Sequence, residues 1–144
     1  MLAWRGLRDT TEDVDSARCF DDELRRAVES VAADHDLEPG WLNSNAAMFL
    51  PATFEVEACD VLMEHPRLLV LGAPLRVVFV MKMYRADPND QADMVAMWNQ
   101  TGFATAREVV DAYFAAYPHA PEDPHLAMFV VEVAARAGHS LPLG

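Results

Sequence analysis

The sequence predicts an α+β domain: a small mixed sheet packed against helices, followed by a C-terminal helical portion. Three observations predict it. Residues 54–62 and 67–71 carry strand-forming side chains on either side of the turn Glu64-His65-Pro66, which reads as a hairpin. From Leu75 onward apolar residues recur at helical spacing, broken only by turn and cap signals. At 144 residues and 52% hydrophobic, the chain can bury one core. We therefore expect a single domain over 1–144, with a sheet-containing part over about 1–72 and a helical part over about 73–144.

Taken in order, residues 2–7 read as the end of a helix, and Arg8-Asp9-Thr10-Thr11 as a turn. Residues 12–17 alternate as a short strand. Residues two apart on a strand share a face, so Asp13 and Asp15 would lie together and Val14 would point inward. Two carboxylates on one face suit a divalent cation such as Mg²⁺, which takes hard oxygen ligands; in an acidic stretch such a pair is more often a solvated edge. Asp21 or Asp22 caps a helix running to about His35, with Leu24, Ala27, Val28, Val31 and Ala32 as its apolar stripe. Glu38-Pro39-Gly40 opens a short helical turn anchored by Trp41 and Leu42, which ends at Met48-Phe49-Leu50-Pro51. On the strand expected over 54–62, Glu55 and Glu57 would share a face.

Pro74 then starts a helix over residues 75–84 that is apolar on nearly every side. Lys82, the only lysine of the chain, sits inside it, and Asp87, Asp90 and Asp93 follow at once. A half-buried ammonium needs a partner. Either Lys82 faces a site and those carboxylates, or it lays its stem on apolar surface and puts its head in water. A second helix over 91–99 stops at Thr101-Gly102. Thr105 with Glu108 forms a capping box for a third, which reaches about Tyr117. A last helix spans about 125–137.

Composition narrows the function classes. Net charge is −12, which opposes non-specific adhesion to nucleic acid while leaving room for a local basic groove. The arginines crowd the first 26 residues among acidic neighbours, as on a salt-bridged face. No apolar run approaches the ~18 residues that span a membrane. Cys19 and Cys59 are isolated thiols, which points to a reducing, cytoplasmic setting, and the five histidines lack the spacing of a zinc site.

The pieces also resemble a family. Arg5-Gly6-Leu7-Arg8 followed by Thr11-x-Asp13-Val14-Asp15 is similar to the entry to the metal site in polymerase-β-type nucleotidyltransferases. Trp41-Leu42-Asn43 through Phe49-Leu50-Pro51 is similar to the middle segment of that family. Ala73-Pro74 through Met81-Lys82, then Asp90-x-x-Asp93, is similar to the region holding its nucleotide-contacting lysine and a further aspartate. The order of the fragments resembles most the small bacterial branch that includes toxins of toxin–antitoxin pairs.

The resemblance implies a nucleotidyltransferase-type sheet and transfer of a nucleoside monophosphate from an NTP to an acceptor hydroxyl. It implies Mg²⁺ on Asp13 and Asp15, nucleotide contacts from Arg8, Thr11 and Lys82, and Asp93 orienting Lys82 or the acceptor. Glu55, Glu57 and Asp60 are candidates for a third metal carboxylate. By analogy with the toxin branch the acceptor is the tRNA 3′ end, and a cognate antitoxin is the expected partner. The family's Gly-Gly or Gly-Ser pair has no counterpart here, since Met1 falls where that pair would just have ended. This departure supports the alternative, an inactive relative that only binds a partner protein. The strand expected before Leu2 is missing too, so a partner, or a second copy in a homodimer, could add one beside Asp13-Val14-Asp15.

Overall fold

The computed structural model describes residues 14–144. The helix end expected over 2–7, and Arg8, Thr11 and Asp13, lie outside the described residues. In chain order come β1 (Val14–Asp15), α1 (Asp22–His35), β2 (Leu42–Asn43), β3 (Asp60–His65), β4 (Leu68–Gly72), α2 (Leu75–Arg85), α3 (Asp90–Thr101), α4 (Ala106–Ala116) and α5 (Leu126–Arg136). Short 3₁₀ turns cover Asn45–Phe49 and Val56–Ala58. The class is α+β. The parallel and antiparallel pairings fall in two small sheets rather than one: β1 runs parallel to β2, and β3 antiparallel to β4. The described residues form two compact units, 14–50 with 60–72, and 51–59 with 73–144.

The first unit is organised by α1. Asp21 caps it, its Oδ1 accepting the Leu24 N–H at 2.8 Å, and Asp22 and Glu23 in the first turn suit the helix dipole. Of the expected stripe only Val28 and Ala32 are buried; Leu24 is half-buried, and Ala27 and Val31 are exposed. Trp41 lies against α1, its Nε1–H donating to the Val28 carbonyl at 3.2 Å. That anchors the following residues as strand, not helix. Leu42 and Asn43 pair with Val14 and Asp15, which corrects the helical turn expected at Leu42. A two-residue strand has no period for the sequence to display.

The hairpin forms, but its first strand starts and ends later: Glu64 and His65, expected in the turn, pair with Leu69 and Leu68. Ala58 and Cys59 donate back to the Glu55 and Val56 carbonyls at 3.2 and 3.1 Å. These bonds close a 3₁₀ turn where a strand is expected, so Glu55 and Glu57 do not share a strand face. A bulge at Leu62 shifts the register between Val61 and Met63. The hairpin keeps much apolar surface exposed: Val61 retains 60% of its accessible area and Leu69 54%, with Leu62, Met63 and Leu68 exposed beside them.

The second unit holds the larger core. Phe79 on α2 is wholly buried, meets Trp98 edge to face at 5.5 Å between ring centroids, and lies tilted against Phe103 at 5.9 Å. Met94 and Met97 of α3, Val109 of α4, and Val130 and Val133 of α5 complete it. Gly102 ends α3 with φ 70°, a left-handed conformation that glycine adopts at little cost. Thr105 caps α4, its Oγ1 accepting the Glu108 N–H, while the Glu108 carboxylate reaches the Ala104 N–H, one residue before the position a capping box uses. Ala106 and Arg107 donate to the Pro142 and Leu143 carbonyls, which ties the tail to the start of α4. Among the described residues no helix is long and apolar enough to cross a membrane.

Candidate functional site

The most site-like cluster forms where α2 passes into α3. Ala86, at φ 54°, ends α2, and the Asp87 Oδ1 accepts the Asn89 N–H at 2.9 Å to shape the turn. The turn swings Asp90 and Asp93, in the first turn of α3, back against the last turn of α2. Acidic side chains there also suit the helix dipole. Lys82 Nζ donates to Asp90 Oδ1 at 2.6 Å and to Asp93 Oδ2 at 2.9 Å. Arg85 grips Asp90 from the other side, through Nε at 2.7 Å and Nη2 at 2.6 Å. Two cations and two carboxylates thus balance in one network. Asp90 is its buried centre, with 3% of its side chain exposed, against 19% for Lys82.

Lys82 therefore does not sit with its head in bulk water, and the structure brings it together with Asp93. It also borders a cavity of about 420 Å³ whose lining includes Met83, Met94 and Phe129. Sequence reasoning offered Asp90 and Asp93 as partners for Lys82 and missed Arg85, which binds Asp90 twice. The available signal for Arg85 was position: it lies three residues after Lys82, on the neighbouring turn of α2, and five before Asp90.

The network makes stability depend on pH. Burial pushes the Asp90 carboxyl up, but hydrogen bonds from Arg85 and Lys82, together with their charges, outweigh it and hold the group below its ordinary 3.8. A carboxyl lowered on folding contributes stability that is complete above its unfolded value and lost as pH falls through the folded one. Urea midpoints should accordingly stay flat in this respect down to about pH 4 and then fall, and Asp90→Asn should lose that acid-side slope.

Asp15 belongs to the other unit. It ends β1, half-buried, opposite Asn43 of β2. The pairing is held by Val14 N–H to the Trp41 carbonyl at 2.6 Å and Ser16 N–H to the Asn43 carbonyl at 2.8 Å. Its expected companions Asp13, Arg8 and Thr11 lie outside the described residues. Among the described residues no three His, Cys, Asp or Glu side chains gather as a metal-binding group. Comparison of the chain with protein-family models, curated proteins and solved structures finds no match.

Proposed function

We propose that this chain is a nucleotidyltransferase-like protein of the cytoplasm, the toxin of a toxin–antitoxin pair. It would move a nucleoside monophosphate from an NTP to an acceptor such as the tRNA 3′ end. The observation that supports this reading is Asp15, a half-buried carboxylate at the carboxyl end of a strand that α1 links to a parallel neighbour. Ligands of α/β arrangements gather outside the carboxyl ends of such strands. Mg²⁺ commonly takes one or two carboxylates along with phosphate oxygens and water. The hard oxygens of Asp15 fit that chemistry, and Asp13 would be the second carboxylate. The bound ion would offset charge on the phosphates. Arg8 and Thr11 would contact the nucleotide. Lys82 would contact a phosphate as a point charge, and Asp93, which accepts from it at 2.9 Å, would orient Lys82 or the acceptor.

A second reading, a non-catalytic protein that binds a partner, draws on the exposed apolar hairpin. Val61, Leu62, Met63, Leu68 and Leu69 are all exposed on one small sheet, and exposed apolar surface is where partners dock. A net charge of −12 suits a basic antitoxin, and a second copy is the other candidate.

Calorimetric titration separates the readings. NTP added with Mg²⁺ should give a binding heat that disappears without the metal and in Asp15→Asn. Equal heats in all four experiments would overturn the catalytic reading and leave partner binding.

A further inference from the structure

We infer that the cavity framed by the end of α2 and the starts of α3 and α5 binds a small organic cation with an apolar body. Its floor is apolar: Met83, Met94 and Leu126 are buried there, with Phe129 half-buried beside them. Its volume of about 420 Å³ lies within the range of small-ligand clefts. Thioethers next to an aromatic ring favour a flat apolar guest, and the Phe129 face can attract a cation as well.

The rim selects the charge. Lys82 borders the cavity, but its charge and that of Arg85 are met by Asp90 and Asp93. The other polar groups of the lining are Gln91, His125 and the carboxylates of Asp87 and Asp123, and the two carboxylates carry its uncompensated negative charge. Each spends one oxygen on its own turn: Asp87 Oδ1 accepts the Asn89 N–H at 2.9 Å, and Asp123 Oδ1 the His125 N–H at 2.8 Å. Among the described residues no further bond is shown to the second oxygen of either, which would face a guest. The field of Asp123 is felt nearby, where the Tyr113 phenol is raised by burial first, then by Tyr84 and Asp123. A phosphate or carboxylate placed against Asp87 and Asp123, rather than against Lys82, would meet two like charges. An ammonium or guanidinium on an aromatic or alkyl stem would find apolar contact below and two acceptors above.

The test compares two probes of one shape and opposite charge, phenethylammonium and 3-phenylpropionate, titrated into the full chain while the methionine methyl resonances are followed. Phenethylammonium should shift Met83 and Met94 and bind about tenfold tighter than the anion, the discrimination expected of two part-exposed charge contacts. Asp87→Asn combined with Asp123→Asn keeps both turn-forming oxygens and should abolish that preference while leaving the apolar contact. A capped arginine amide as third probe asks whether the cation arrives free or on a protein side chain: tighter binding than phenethylammonium assigns a partner's side chain, weaker binding a free amine. Absence of shifts at Met83 and Met94, equal binding of cation and anion, or a preference that survives the double substitution would overturn the inference.

Discussion

Asp90→Asn lowers the unfolding free energy by about 3–5 kcal/mol, the loss typical of removing one partner from a buried ion pair. The carboxylate accepts three charge-assisted hydrogen bonds, two from Arg85 and one from Lys82, with almost no water at hand to replace them. Asparagine offers one acceptor oxygen and turns an N–H₂ toward donors, so at least one cation loses its partner. Urea denaturation measures the loss. Lys82→Met completes a double-mutant cycle, and because both changes disturb one network their effects should not add. A cost below about 1 kcal/mol, or simple additivity, would mean that the cluster behaves as a surface ion pair.

Phe79→Ala should cost a similar amount, about 3–5 kcal/mol, for a different reason. The side chain is wholly buried between Trp98 and Phe103, and Arg76 lies over the Phe103 ring at 4.1 Å. Removing the ring leaves a cavity that four packed helices cannot readily collapse to fill. Phe79→Leu retains most of the volume and should recover more than half the loss. A small loss for the alanine variant, again read from urea denaturation, would show that α2 can repack and that Phe79 is not the centre of this core.

Much of the helix pattern was legible in the sequence because its signals are local. Asp21, Thr105 and Gly102 act where cap chemistry places them, and Pro74 stands at the start of α2, one position before the first helical residue. The partners of Lys82 were legible for the same reason, since Asp90 and Asp93 follow it within a dozen residues. The short strands were not. Leu42 and Asn43 are strand only because Val14 and Asp15 lie alongside, a contact that no local pattern announces. Glu55-Val56-Glu57 alternates like a strand, yet backbone bonds from Ala58 and Cys59 bend it into a turn. The cavity was hidden because its walls come from residues far apart, Met83 and Met94 on one side and Asp123 to Phe129 on the other.

The central claim is that Asp15 serves nucleotidyl transfer. The most direct measurement incubates the chain with Mg²⁺, each α-labelled NTP in turn, and bulk tRNA, and then counts label in the RNA. The parent chain should transfer label from at least one NTP, and Asp15→Asn only background, at equal folded protein. No transfer from any NTP, or equal transfer by the Asp15→Asn chain, would contradict it.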